Sequence, residues 1–354
     1  MEKLFQPFSI KGLKIKNRIC VPPMVCYNWV KDDGYVVPKN VEHYRAIAKG
    51  GFGLIIQEAT CVDPDGKLSR DQLGIWEDGQ IAGLKRIVDA VHREGCPIFL
   101  QIHHAGVNGC QEHLLCPSDY EFHTNGAKRI GHEMTPEDIK KVQAEFVQAA
   151  VRACEAGYDG VELHGCHSYL MCEFFNSRVN LRTDEYGLHP EKFALEILEE
   201  IRKQTPKDFI VGIRLGAFEP KLSDGIRHAQ ILEQHGIDFL DISYGFSGED
   251  EPEAPKDFPY KDVIYAAGEI KKHVSVPVFA VNSITNAQMA EDILNRTGVD
   301  MADIGRGVLV NYNWANDARE GKDTGRCLNC KVCRWREDSD KCAGRILLNR
   351  RKQK

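Results

Sequence analysis

The segment His164-Gly165-Cys166-His167-Ser168-Tyr169 brings two imidazoles and a phenol together at the end of an apolar run. Two histidines three residues apart can ligate a metal, and they can equally donate two hydrogen bonds to one substrate oxygen. Tyr169 adds an acid two residues on. A lone histidine is more often structural, but three such groups at one strand exit favour a reactive site. A second cluster is Cys327-x2-Cys330-x2-Cys333-x8-Cys342, four thiols of the kind that hold zinc or an iron–sulfur cluster. Lys331, Arg334, Arg336 and Lys341 would offset thiolate charge there. Reduced surface thiols, or a disulfide formed in air, are the plainer reading.

Other polar residues interrupt strand-like runs. Gln101 lies inside Ile98-Phe99-Leu100-Gln101-Ile102. A buried amide left without partners costs about 1–3 kcal/mol. Its donor and acceptor could read a flavin pyrimidine edge, but a bond to a neighbouring strand is the simpler account. Arg214 ends the run Phe209–Ile213 and needs an anion, either a ligand or a barrel carboxylate such as Glu58 or Glu162. Val281-Asn282-Ser283-Ile284-Thr285 and Gly305-Arg306-Gly307 follow the last two apolar runs. Glycine amides, a cation and a following helix N-terminus suit a phosphate.

These residues must be carried by repeating units. Strands are expected at Ile19–Met24, Leu54–Gln57, Ile98–Ile102, Gly160–Leu163, Phe209–Leu215, Asp238–Ile242, Val276–Ala280 and Met301–Ile304. Amphipathic stretches between them predict helices at Val41–Lys49, Ile81–Glu94, Glu191–Gln204, Asp224–His235, Asp262–His273 and Asn286–Asn295, with a last one over Val308–Arg319. Thr135, Pro136 and Asp138 open a further long helix as cap, first-turn proline and capping-box partner. Eight strands alternating with helices predict an α/β fold, a (β/α)8 TIM barrel in one domain over 1–320, followed by a Cys-rich basic tail over 321–354. No G-x-G-x-x-G follows a strand, so a Rossmann site is excluded. Long loops at Gly106–Glu133 and Gly245–Phe258 follow strand C-termini, where barrel active sites and their lids lie.

Composition narrows the class. A formal charge of −6 with interspersed signs gives no basic surface for nucleic acid. The apolar runs are strand-sized, so no membrane span is expected. Met1–Ser9 lacks a signal pattern, and 13 cysteines, mostly scattered singly, suit a reducing cytoplasm. Self-association is left open.

In order and spacing these motifs resemble the Old Yellow Enzyme family of FMN-dependent oxidoreductases, its shorter bacterial members in particular. The likeness runs from Leu4 to about Asn316 through Asn17-Arg18-Ile19, Pro23-Met24, Gln57-Glu58-Ala59-Thr60, Gln101, His164-x-x-His167-x-Tyr169, Arg182-Thr183-Asp184-Glu185-Tyr186-Gly187, Arg214 and Gly305-Arg306. The resemblance implies hydride transfer from NAD(P)H through FMN N5 to an activated alkene or another electron-poor small molecule. It implies that Pro22, Pro23, Met24, Val25 and Ala59 line the flavin, and that Gln101 and Arg214 hold its pyrimidine side. Gly305 and Arg306, with Asn282 and Ser283, would hold its phosphate. His164 and His167 would orient the acceptor's oxygen, Tyr169 would donate the proton, and Tyr27 would flank the substrate; Arg182–Gly187 reads as a structural fingerprint. Val25 departs from the Cys or Thr common there, Asn282-Ser283 from a glycine-rich pair, and Val310–Trp314 from an acidic-proline stretch. Larger relatives such as 2,4-dienoyl-CoA reductases place a 4Fe-4S cluster on four cysteines after the barrel. The tighter spacing here implies a retained cluster or a structural zinc without an electron-relay role, since the second flavin domain those relatives carry is not expected. Competing classes are a flavin-free phosphate-binding barrel of the aldolase or isomerase type and a non-catalytic flavin or tetrapyrrole module.

Overall fold

Eight parallel strands close into a barrel in the computed structural model, which describes residues 1–124, 127–246 and 254–352. In chain order they are β1 (Ile19–Val21), β2 (Leu54–Cys61), β3 (Ile98–His103), β4 (Gly160–Gly165), β5 (Ile210–Gly216), β6 (Leu240–Ser243), β7 (Val278–Ala280) and β8 (Met301–Asp303). The order round the barrel follows the chain, and β8 pairs with β1 to close it. Each expected strand is present with shifted ends. Pro22 and Pro23 stop β1 early because neither can donate to the ladder.

The outer helices bury one face against the strands. Pro136–Ala156 is the longest. As expected, the Thr135 hydroxyl accepts from the Asp138 N–H at 3.1 Å, and the Asp138 carboxylate accepts from the Thr135 N–H at 2.9 Å. The lower end of the barrel is filled by apolar side chains: Phe99, Phe239 and Phe279 stack with centroids 5.3 and 4.9 Å apart. A Cβ at Gly212 would fall 2.1 Å from the Phe239 ring, so that strand position must be glycine. The antiparallel hairpin Phe8–Ile10 and Leu13–Ile15 plugs the same end through Ile10 and Ile15.

Two expectations need correction. The single helix over Val308–Arg319 is two short ones, Arg306–Val310 and Trp314–Arg319. Asn311 between them is extended and spends its amide on Asp317 and on the Thr324 carbonyl. The Gly106–Glu133 loop carries a three-stranded sheet, Leu114–Cys116, Tyr120–Thr124 and Ala127–Glu133. Arg182 ties that sheet to the barrel by donating to the Pro117 and Met134 carbonyls at 2.9 and 2.7 Å, the structural role expected of its motif. Residues 247–253 of the expected Gly245–Phe258 loop lie outside the described residues.

The tail is not a loose extension. Trp335 is 3% exposed and stacks on Trp29 at 5.4 Å. In the helix Ala343–Lys352 a Cβ at Gly344 would fall 2.7 Å from the Arg326 carbonyl oxygen, so a side chain would not fit there. Arg345 lies 4.2 Å over the Tyr312 ring. Among the described residues, no helix is long and apolar enough to cross a membrane.

Candidate active site

The strand C-termini surround a two-lobed cavity, each lobe about 430 Å³. One lobe is lined by Met24, Val25, Tyr27, Ala59, Gln101, His164, His167 and Tyr169. The other runs past Pro22, Asp303, Asn282, Ser283, Gly305 and Arg306. Pro23, Met24, His167, Arg214 and Arg306 border both. All the residues expected around one cofactor and one substrate therefore meet at one cavity. The chain after β1 is pinned there by Glu58, which accepts from the Cys26 N–H at 2.7 Å and from the Tyr44 hydroxyl at 3.1 Å. Burial pushes the Glu58 carboxyl up to about 7.

Beneath the cavity the barrel interior turns polar in one step. Phe99, Phe239 and Met301 belong to the apolar floor; two residues on, and so on the same face, stand Gln101, Asp241 and Asp303. Gln101 donates to Glu162 at 2.7 Å, the cross-strand bond of the simpler reading, and it also lines the cavity. Arg214 does not pair with Glu58. Its Nε stands 3.1 Å from Asp241 on β6, its register neighbour. Glu58 is turned instead toward Cys26 and Tyr44. Burial and then repulsion from Asp241 raise Glu162 and Asp303, against the pull of Arg214, favouring their protonated forms.

Above this layer runs a file of imidazoles. His103 Nδ1 lies 3.0 Å from His164 Nδ1, His164 Nε2 lies 3.1 Å from His167 Nδ1, and His167 Nε2 lies 2.7 Å from the Ser243 hydroxyl. Burial lowers all three histidines, His103 to about 3, so the file is neutral. His103 and Ser243 were missed from the sequence, although each stands two residues beyond a polar member of the layer below. The turn after β4 holds His167 and Ser168 at φ of 61° and 58°, a strained conformation that faces His167 back toward His164. Tyr169 sets its ring edge-on to His103 and His164 at 4.5 and 4.8 Å. Burial pushes its hydroxyl above the ordinary tyrosine range, which keeps the proton on it. The donor atoms of His164, Cys166 and His167 lie within 4.8 Å of one another. The Arg214 charge bears on both imidazoles, so an electron-rich oxygen suits this gap better than a cation.

At the far lobe Asn282 and Ser283 both take positive φ, 104° and 56°. That backbone favours glycine, which explains a glycine pair in the family pattern. The Ser283 hydroxyl donates to the Asn282 side-chain carbonyl at 2.8 Å, a local bond that supports the turn. Arg306 borders the lobe beside it and bonds Asn329 of the tail. A flavin mononucleotide fits this donor set: a buried amide and guanidinium at one end, a cation and strained turn at the other, and apolar Pro22, Met24 and Ala59 between.

The tail walls the cavity, which the sequence did not reveal. Cys327 borders both lobes, and Cys330, Cys333 and Trp335 border the lobe lined by His164 and Tyr169. Arg336 lies 4.7 Å over the Tyr27 ring. Cys342, just past the turn Ser339–Lys341, is not among the residues lining either lobe. Among the described residues the close donor trio is His164, Cys166 and His167, and the four tail thiols are not drawn into such a group.

The family model for the NADH:flavin oxidoreductase / NADH oxidase family matches residues 3–324. The chain is 37% identical over 347 residues to NADH oxidase of Thermoanaerobacter brockii, covering 93% of this chain and 53% of that protein. It is 35% identical over 329 residues to NADPH dehydrogenase of Bacillus subtilis (strain 168), covering 91% and 96%. A 2-naphthoyl-CoA reductase structure superposes with a TM-score of 0.82 at 24% identity, over 91% of this chain and 52% of that one. The old yellow enzyme homologue from Zymomonas mobilis gives 0.78 at 23% identity, over 95% and 99%. These structural likenesses show the fold. The chain spans about half the length of the Thermoanaerobacter protein and of the naphthoyl-CoA reductase.

Proposed function

The chain belongs to the NADH:flavin oxidoreductase / NADH oxidase family, and on that premise we propose that it is an FMN enzyme that oxidises NAD(P)H and reduces an activated alkene or a similar electron-poor acceptor. The observation that carries this reading is the neutral file His103–His164–His167 beside protonated Tyr169, on the wall of a cavity that also holds Gln101 and Arg214. Bound FMN supplies the hydride chemistry. The protein supplies the rest. Pro22, Pro23, Met24, Val25 and Ala59 shape the ring site; Gln101 and Arg214 meet the pyrimidine edge, where a guanidinium stabilises negative charge. Asn282, Ser283, Gly305 and Arg306 hold the phosphate. His164 and His167 donate to the acceptor's oxygen, Tyr27 flanks it, and the Tyr169 hydroxyl delivers a proton to the acceptor's carbon. An absorbance spectrum followed by anaerobic NADH and NADPH titration tests this. Bleaching of a bound flavin is expected. A folded protein with no affinity for FMN would refute it, and a flavin that neither nucleotide reduces would indicate a carrier.

For the tail we propose a thiolate-bound metal, an iron–sulfur cluster or zinc, on Cys327, Cys330, Cys333 and Cys342. Its support is the spacing and the three thiols on one wall. The thiols are not gathered in this structure, so no catalytic step is assigned to it. Iron, sulfide and zinc analysis after anaerobic purification decides it; less than about a tenth of an equivalent of either metal sinks the idea, since a structural metal stays with the fold. We also propose a cytoplasmic location, on the scattering of most of the 13 cysteines singly along the chain.

A further inference from the structure

Asp303 ends β8 with its side chain inside the barrel and is 1% exposed. Both of its carboxyl oxygens lack a hydrogen-bond partner. Asp241 and the Cys20 thiol are its neighbours and interact with it, but neither contact meets hydrogen-bond geometry. A buried polar group in this condition costs about 1–3 kcal/mol. Its place explains what could repay that cost. Asp303 borders the lobe that reaches Arg214 at one end and Asn282, Ser283 and Arg306 at the other. In the FMN reading these are the ring end and the phosphate end, and the chain joining them is a polyol.

We propose that Asp303 is a cofactor-positioning residue that recognises the ribityl chain by pairing with one of its hydroxyls. The inference rests on the FMN reading and deepens it. The serine hydroxyls that also border the lobe are already engaged, Ser243 with His167 and Ser283 with Asn282. Pro22 has no side-chain donor, and the Arg214 guanidinium carries donors only. A carboxyl held neutral by burial and by Asp241 offers one donor and one acceptor, the same complement as an alcohol. It therefore satisfies a hydroxyl without adding negative charge beneath the cofactor. The same logic predicts that asparagine, which also carries a donor and an acceptor, replaces it, whereas leucine of similar size does not.

The test uses the full-length protein and compares riboflavin with lumiflavin, which has the same ring system and no hydroxyl chain. Binding is read by quenching of flavin fluorescence. Asp303→Leu should raise the Kd for riboflavin roughly ten- to a hundredfold. Lumiflavin affinity should stay within about twofold of wild type, and Asp303→Asn should bind riboflavin within a few-fold. The flavin-free Leu variant should unfold at or above the wild-type temperature, because it loses an unpaired buried acid. Equal losses for both flavins, no loss for riboflavin, or an Asn variant as impaired as Leu would each overturn the proposal. If wild type binds neither flavin, the FMN reading fails. If it binds both and Asp303→Leu changes nothing, the inference about Asp303 fails alone.

Discussion

Ser243→Ala should weaken acceptor binding although Ser243 lies one residue beyond the reach of the predicted donors. The facing atoms of the histidine pair are His164 Nε2 and His167 Nδ1, 3.1 Å apart. A neutral imidazole has one N–H. The two facing nitrogens bond one another; for both to donate instead to an oxygen that displaces this bond, His167 Nε2 must accept from the Ser243 hydroxyl at 2.7 Å, and His164 Nδ1 must accept from His103 Nδ1 at 3.0 Å. His103 Nε2 is then the open end of the file, in keeping with its lack of a partner. Alanine removes the group that fixes the His167 tautomer. A neutral hydrogen bond contributes about 0.5–1.5 kcal/mol, and the abandoned buried nitrogen adds to the loss. A cost of about 1–2 kcal/mol raises the Kd of a phenolic or enone ligand roughly five- to thirtyfold. Spectral titration of the flavin-loaded protein measures it. Ser243→Thr, which keeps a hydroxyl, should stay within a few-fold of wild type. Unchanged affinity in the Ala variant, or equal damage from Thr and Ala, would refute the tautomer argument.

Other outcomes follow from the same geometry. Tyr169→Phe should slow enone reduction at least about tenfold more than it slows reduction of the flavin by NAD(P)H, seen by stopped-flow; equal losses in both half-reactions contradict a proton-donor role. Glu58 has a folded pKa of about 7 against an ordinary 4.5. Its contribution to stability is therefore full below pH 4.5 and is lost as pH rises through 7, by about 3 kcal/mol in all. Glu58→Gln should remove that slope, so the urea midpoints of variant and wild type should separate across this range; parallel curves exclude Glu58 as the titrating group. Trp335→Ala empties a site of the kind that costs about 3–5 kcal/mol. Because the tail holds on through few such anchors, the loss should appear as tryptic cleavage near Arg334 and Arg336 at least about tenfold faster while the barrel persists. Unaltered cleavage would mean that Trp335 does not fasten the tail.

The barrel was legible because its code is local. Each strand is a short apolar run, each helix has an apolar stripe, and the Thr135 cap announces its helix within four residues. What failed is non-local. The sheet over Leu114–Glu133 reads as a loop because its strands are short and rich in exposed charge at Glu121, His123 and Lys128, and its few apolar residues, Cys116 and Phe122, find their partners Cys172, Val179 and Phe246 far along the chain. The helix Val308–Arg319 broke at Asn311, whose competing bonds to Asp317 and Thr324 come from residues further along the chain. Asp241 and Asp303 looked like ordinary strand ends. Their meaning depends on which face of a strand points inward, and only closure of the barrel decides that. The tail thiols were visible as a motif, but their place on the cavity wall depends on Trp335 finding Trp29 at the opposite end of the chain.

The distribution of charge in the site argues for an anionic occupant more strongly than any one residue does. Three carboxyl groups, Glu162, Asp241 and Asp303, lie beneath the cavity with a single guanidinium. Fully ionised they would make the barrel interior strongly negative, in a setting where burial of unpaired charge is prohibitive. Burial and mutual repulsion instead favour the protonated forms of Glu162 and Asp303, leaving Asp241 to balance Arg214. The imidazoles above are neutral as well. Formal charge at the cavity wall is then carried by Arg306, Arg326 and Arg336, none of which has a carboxylate partner among the described residues. A cavity whose floor is nearly neutral and whose rim is positive attracts a phosphate and tolerates negative charge developing on a bound ring or acceptor. Reversing the rim should therefore weaken FMN more than riboflavin. Arg306→Glu, with its guanidinium beside the Asn282–Ser283 turn, is the direct case, and equal affinity losses for the two flavins would place the phosphate elsewhere.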